Sequence, residues 1–187
     1  LSPSENQGKF FLRRALKDYL RRARGIFVEE EQILIGSGAE QLYALLVQIL
    51  GREQSFAVEY PSYEKMQKIY KANGITLEFV RRKKAIIIED DYDSEFSALG
   101  KPEDSLFSID ESNSVYYINS FSKTIGPAFR MAYLLLPKER TKEDLKKIAF
   151  YSCSVPVLEQ CILTELLQSG EFERHINRVK RRRRSDA

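Results

Sequence analysis

Tryptophan is absent from the chain, histidine occurs once, as His175, and cysteine twice, as Cys153 and Cys161. One histidine and two cysteines at that spacing fit no zinc-ligand pattern and no disulfide framework, so neither a metal nor a cross-link is expected to hold the fold. The two thiols are expected to be buried or inert in a reducing compartment. Long apolar runs are also missing. Stretches such as "MAYLLLP" and "KKAIIIEDD" fall far short of the roughly 18 residues that span a membrane, so no membrane partner is expected. No basic-then-apolar signal segment opens the chain, and a cytoplasmic address is the expectation. Internal repeats and low-complexity linkers are lacking as well. The formal net charge of +3 is too small to argue for nucleic acid by itself. The basic clusters "RRARG" (21–25), "RRKK" (81–84) and "VKRRRR" (179–184) are expected to be solvated helix faces, and His175, in "ERHINRVKRR", a surface residue.

What is present is an ordinary globular composition: 187 residues, 43% hydrophobic and 30% charged, enough for one sizeable core or two small ones. Residues 10–24 carry a helical apolar stripe through Leu12, Leu16, Tyr19 and Leu20, closed by Gly25. Further on, "EQILIGSG" reads as a strand entering a glycine-bounded turn, and "AEQLYALLVQILG" as a buried helix stopped by Gly51. Strand "QSFAVEY", helix "PSYEKMQKIYKANG" and strands "ITLEFV", "KKAIIIEDD", "SVYYIN" and "RMAYLLLP" follow, then helical segments at 141–151, 156–168 and 170–184. Strand alternating with helix predicts an α/β fold with a mainly parallel sheet, helices on both faces and a group of C-terminal helices. The near-continuous apolar strands "AIII" and "AYLLL" are expected to be covered on both faces. One place does not fit. Only "RRKK" separates "ITLEFV" from "AIIIED", whereas a parallel crossover needs a dozen or more residues. Either the two strands form an antiparallel hairpin, or residues are missing at this seam, near 80–84.

Open α/β sheets bind ligands at the carboxyl ends of their strands. There, "IGSGAEQ" delivers Gly36, Ser37, Gly38 and Ala39 into a helix start, where small residues let backbone N–H groups approach a phosphate. "IIIEDDYDSEF" sets Glu89, Asp90 and Asp91 just past a strand, acids that could equally be solvated loop residues or a helix cap. "SFSKTIGPAFR" carries Ser120, Ser122, Lys123 and Arg130. A lysine amine can form a Schiff base, and hydroxyls with a guanidinium hold a phosphate. A carboxylate from another strand end would pair with a pyridinium nitrogen. Together these describe a site for pyridoxal 5'-phosphate. "SFSK" also satisfies the Ser-x-x-Lys pattern of serine acyl-enzymes, but the Ser-Asp-Asn and Lys-Thr-Gly partners are missing. The Gly-x-x-x-x-Gly frame of a Walker loop is missing too.

"IIIEDDYDSEF" followed by "INSFSKTIGPAFRMAYLLLP" resembles the aminotransferase-like domain of MocR/GabR-type transcriptional regulators of the GntR superfamily, within the fold-type I pyridoxal phosphate proteins. "LRRALKDYLRRARGI", "ILIGSGAEQLYALL", "AVEYPSYEKMQ" and "LEQCILTELLQSGEFERHINRVKRR" match the same family in order, so the resemblance covers nearly the whole chain. It implies a fold-type I large domain over residues 1–150, and over 151–187 helices leading to a small C-terminal domain beyond the chain. By position it implies that Lys123 forms the internal aldimine, that Asp90 rather than Asp91 pairs with the pyridine nitrogen, and that Tyr92 bonds the ring hydroxyl. Tyr63, in "YPSY", would stack on the ring, and Ser120, Ser122 and Arg130 would bind the phosphate with the Gly38 and Ala39 backbone. The family's N-terminal winged-helix DNA-binding domain has no counterpart here, and neither has a block of strand and helix at the 80–84 seam.

The expected function is accordingly the effector-sensing domain of a bacterial regulator, in which the cofactor, or an amino acid or amine effector joined to it, controls binding of operator DNA. A homodimer is implied by the resemblance. The alternative is a free-standing aminotransferase, in which Lys123 would also move the proton between substrate and cofactor. The bland alternative, an α/β domain with an incidental lysine, leaves the grouping of these residues at strand ends unexplained.

Overall fold

The computed structural model describes residues 5–53, 56–57, 63–78, 86–91, 94–96, 104–126 and 128–185. In chain order the elements are α1 (Phe10–Tyr19), β1 (Ile33–Gly36), α2 (Ala39–Leu50), β2 (Phe56–Ala57), α3 (Glu64–Ala72), β3 (Leu77–Glu78) and β4 (Ile87–Asp90). They continue as α4 (Leu106–Ile109), β5 (Val115–Ser120), β6 (Ala132–Leu135), α5 (Thr141–Lys147), α6 (Val157–Gln168) and α7 (Glu171–Ser185). A π-helical turn, Leu20–Arg24, extends α1 and ends at Gly25, whose φ of 65° puts it in the left-handed conformation that glycine adopts without strain.

Four strands form one sheet in the order β1-β6-β5-β4, and β2 pairs with β3 in a second, parallel piece. β4 and β5 are parallel, as expected, while β6 runs antiparallel to both β1 and β5. The reversal has a local cause. The connection from β5 to β6, residues 121–131, contains turns but no helix among its described residues, too little for a crossover. Because β6 is reversed, its first residue lies beside the last residues of its neighbours: Ala132 is in register with both Gly36 and Ser120.

Among the described residues β3 pairs with β2 and β4 with β5, with no pairing between β3 and β4; the 80–84 seam itself, on which the hairpin and missing-block readings both turn, falls outside the described residues. Helices cover both faces of the four-stranded sheet. One core packs α1, α6 and α7 around Leu16, Tyr19, Tyr133, Leu163 and Phe172. The other packs α2, α3 and α5 around Leu42, Leu46, Tyr70, Tyr116 and Leu134. β1 and β6 are wholly buried, as their apolar runs predict. β4 departs from that expectation: it is the last strand of the sheet among the described residues, and Ile87 is 40% exposed.

The solvated-face expectation for "RRARG" fails at Arg24. Its side chain is 3% exposed and donates to Asp91 at 2.5 Å and to Glu95 at 3.2 Å. Arg21 and Arg22 of the same cluster do face water, as do Arg181 and Arg182 in α7. Both cysteines are free thiols and half-buried. Among the described residues no group of acidic, histidine or cysteine side chains could hold a metal ion, and no helix is long and apolar enough to cross a membrane.

Candidate functional site

The register of the sheet brings the predicted residues to one edge of it. β1 ends at Gly36, β5 at Ser120 and β4 at Asp90, with β6 entering between β1 and β5. Successive residues of a strand face opposite sides. In β5, Tyr116 and Ile118 belong to the α2 core, and Tyr117 to the α1 core. Ser120 therefore points to the α2 side. In β4, Ile88 packs into the α2 core, which places Asp90 on that same side and Glu89 and Asp91 on the other.

The hydrogen bonds agree. Asp90 Oδ2 accepts a very short bond from the Tyr43 hydroxyl of α2. Asp91 accepts from Arg24 at 2.5 Å and from the Tyr117 hydroxyl at 2.6 Å. Glu89 accepts the Leu106 and Phe107 N–H groups at the start of α4. Three consecutive acids thus have separate employments, and only Asp90 stands on the face of the glycine turn. Asp90 keeps one side open to solvent, yet desolvation holds its carboxyl above the ordinary aspartate value; the Tyr43 bond opposes that shift and the charge of Asp91 adds to it.

Gly36 and Gly38 shape the start of α2. A Cβ on Gly36 would stand 2.6 Å from Leu42 Cδ2, so only glycine lets the helix sit against the strand end. Gly38, at φ +95°, lies against the Arg130 guanidinium, with Nη2 3.2 Å from where a Cβ would be. That contact joins two segments far apart in sequence: the helix start with its N–H groups and the arginine just ahead of β6. Arg130 Nη2 is 3.4 Å from Glu40 Oε1, and Lys65 Nζ is 2.5 Å from the same oxygen. Lys65 first, and Arg130 after it, hold the Glu40 carboxyl below its usual range.

Lys123 is half-buried in the turn 122–125 that follows β5. The Ile125 N–H and the Thr124 hydroxyl both donate to the Phe121 carbonyl, at 2.9 and 3.1 Å, and the Ser122 hydroxyl donates to the Phe129 carbonyl at 3.1 Å. These bonds tie the lysine turn to the segment leading to Arg130. Ala39 is the first residue of α2, and Tyr63 stands 58% exposed just ahead of α3. Tyr92 lies outside the described residues.

Sequence reasoning missed four contacts. Tyr43 looked like one more apolar-face residue of a buried helix, and its hydroxyl meets Asp90. Glu40, which no motif singles out, meets both Lys65 and Arg130. His175, expected on the surface, is half-buried with Nε2 2.7 Å from the Thr124 carbonyl, one residue past the lysine. Spacing could have flagged Tyr43, four residues after Ala39 and so on the same helix face.

Residues 4–99 match the family model described as aminotransferase class I and II. The chain is 28% identical over 225 residues to the uncharacterized HTH-type transcriptional regulator YdeL of Bacillus subtilis, a match covering 96% of this chain and 49% of that protein. It is 23% identical to the probable rhizopine catabolism regulatory protein MocR of Rhizobium meliloti, covering 91% of this chain and 44% of that one. It is 24% identical to the HTH-type pyridoxine biosynthesis transcriptional regulator PdxR of Corynebacterium glutamicum, covering 95% and 49%. The chain thus spans about half the length of the curated relatives it matches. Among solved structures, the kynurenine aminotransferase of Pyrococcus horikoshii, in complex with PMP, superposes with a TM-score of 0.81 at 18% identity, over 97% of this chain and 58% of that one. An archaeal alanine:glyoxylate aminotransferase gives 0.78 at 19% identity, over 93% of this chain and 57% of that one. At such identities the likeness carries the fold, and the fold-type I architecture expected from the sequence is the one found. The chain belongs to the aminotransferase class I and II family.

Proposed function

We propose that this chain is the pyridoxal-phosphate-binding effector domain of a bacterial transcriptional regulator of the MocR type. The observation that carries the cofactor is the meeting, at one edge of the sheet, of an acid on the α2 face, a glycine helix start with an arginine laid against it, and a lysine turn between them in the chain. The open corner at Gly38 fits a phosphate: it offers helix N–H groups and the Arg130 guanidinium and has no Cβ to block approach. Pyridoxal phosphate supplies an electrophilic aldehyde and a ring that withdraws electrons from a bound amine. In this reading Lys123 holds the aldehyde, and Asp90 accepts from the ring nitrogen. Ser120, Ser122, Arg130 and the Gly38–Ala39 backbone hold the phosphate, Tyr63 covers the ring, and Tyr92 bonds its hydroxyl.

The regulator part is supported by the relatives, whose names are those of HTH-type transcriptional regulators. Operator DNA would be met through a helix-turn-helix domain of the parent protein, in the cytoplasm, with an amino acid or amine as effector. A homodimer belongs to the same reading; Phe150, Leu158 and Ile162 are exposed apolar side chains that such a contact could cover. Residues 1–150 would be the large domain and 151–187 the helices leading out of it. The alignment with YdeL runs over 225 positions against 187 residues in the chain, so it contains gaps; in this reading a missing block lies near 80–84. A free-standing aminotransferase is the reading that the solved structures alone would suggest.

The test is borohydride reduction of the parent protein with pyridoxal phosphate, followed by peptide mass mapping. A phosphopyridoxyl group confined to the Lys123 peptide is expected; label scattered over surface lysines would overturn the cofactor role. Rapid turnover of amino and keto acids, with no effect of cofactor or amines on operator binding, would favour the enzyme.

A further inference from the structure

Among the described residues one hydrogen bond fixes where the Asp90 carboxylate points, and its donor is a residue outside the expected site. The Tyr43 hydroxyl donates to Asp90 Oδ2. Tyr43 is 1% exposed, and its ring stands edge-on to Tyr70 at 5.8 Å, which in turn stands edge-on to Phe56 at 4.9 Å. A ring locked in this way cannot swing, so its hydroxyl occupies one place. Burial first, and the charge of Asp90 next, push the phenol far above its ordinary value, so Tyr43 remains a protonated donor through the whole physiological range. The bond occupies one carboxylate oxygen and leaves the other to accept from a ligand.

Position on α2 adds a second argument. Tyr43 is four residues after Ala39, hence on the same face and about 6 Å further along the axis. One rigid helix therefore presents the anion-accepting turn with one end and orients the acid with its next turn. The neighbouring acid has no such freedom, because Asp91 is held by Arg24 and Tyr117 on the opposite face.

We propose that Tyr43 is a positioning residue for Asp90, holding its carboxylate on the ring nitrogen of the bound cofactor; this rests on the pyridoxal phosphate reading above. Its bond stabilises the charged form of Asp90, and through it the protonated ring.

The experiment compares Tyr43→Phe with the unsubstituted parent protein, both titrated with pyridoxal phosphate. The variant keeps the ring and its packing and removes only the hydroxyl. Losing one such bond should weaken cofactor affinity about fivefold to tenfold. It should also move the pH midpoint of the bound cofactor's visible absorption in the same direction as Asp90→Asn does, by a smaller amount. In an Asp90→Asn background, Tyr43→Phe should add little. Tyr70→Phe, which removes a buried tyrosine hydroxyl with no hydrogen-bond partner among the described residues, should leave the midpoint in place. Should Tyr43→Phe not fold, difluorotyrosine placed at position 43 tests the same bond: its hydroxyl is the stronger donor and should move the midpoint the opposite way. A Lys123 adduct that forms normally, with affinity and midpoint unmoved by either change at position 43, would overturn the positioning role and leave the cofactor reading standing. No adduct in the unsubstituted protein would overturn both.

Discussion

Arg24 is a charge buried between two carboxylates, and its situation differs from that of any surface arginine in the chain. Burial alone would lower its pKa; Tyr117, Asp91 and Glu95 around it outweigh that and keep the guanidinium charged. Glu95 is raised, first by desolvation, with Arg24 pulling the other way. Removing the cation as Arg24→Met would leave Asp91 and Glu95 without it, at a cost of about 3–5 kcal/mol at neutral pH. The sign with pH follows from the direction of the Glu95 shift. A carboxyl whose folded pKa lies above its unfolded one favours the fold when protonated, and that contribution is lost as pH rises through the folded value. Without Arg24 the Glu95 shift grows, so the variant should recover part of the deficit as pH falls from 7 toward 5. Urea titrations at both pH values would check this, and a deficit that stays constant or widens would contradict it.

At the scale of elements, strand β5 owes its start to one aspartate. Asp110 accepts the Ser112, Ser114 and Val115 N–H groups, at 2.9, 2.7 and 3.1 Å, and both serine hydroxyls, so it closes the turn that launches the strand. Those bonds, the Ser112 side chain first, hold its carboxyl down to about 2. A depressed folded pKa gives stability that is present above the unfolded value and is lost as pH falls through the folded one. Asp110→Asn should therefore cost about 1 kcal/mol at neutral pH, by analogy with the loss of a helix cap. The gap should close as pH drops from about 4 toward 2. Guanidinium denaturation of both proteins across that range would show it; a gap that persists at pH 2 would mean that the charge of Asp110 is irrelevant to the turn.

The elements were legible in the sequence where apolar spacing was regular, as in α1, α2, β5 and β6. The direction of β6 was not, because strand patterns carry no polarity; it follows from the short 121–131 connection, which was visible but went unused. The π-helical turn at Leu20–Arg24 reads as ordinary helix, since nothing in "LRRAR" distinguishes the wider turn. Within the candidate site, the grouping at strand ends could be read from sequence. The acids alone did not distinguish Asp90 from Asp91; strand alternation sets Asp90 beside Tyr43 on one face and Asp91 beside Arg24 on the other.

For the whole molecule the consequential feature is a sheet in two pieces. β5 and β6 sit inside the four-stranded piece, flanked on both edges and covered by helices on both faces. Among the described residues, β2 and β3 pair at Phe56 with Leu77 and at Ala57 with Glu78. A two-stranded pairing depends on what it packs against, here Phe56 and Tyr70 against α2. Local opening should therefore be far cheaper there than at β5. Native-state hydrogen exchange should find the Tyr117 and Ile118 amides among the slowest, opening only with global unfolding, and those of β2 and β3 faster by two or more orders of magnitude. Because Tyr43 and Tyr70 join α2 to that labile region, added pyridoxal phosphate should slow exchange at β2 and β3 more than at β5, whose amides already open only globally. Equal slowing everywhere would mean that the cofactor stabilises the fold as one unit. No slowing at all, with the Lys123 adduct present, would mean that the two pieces of sheet are not coupled through α2.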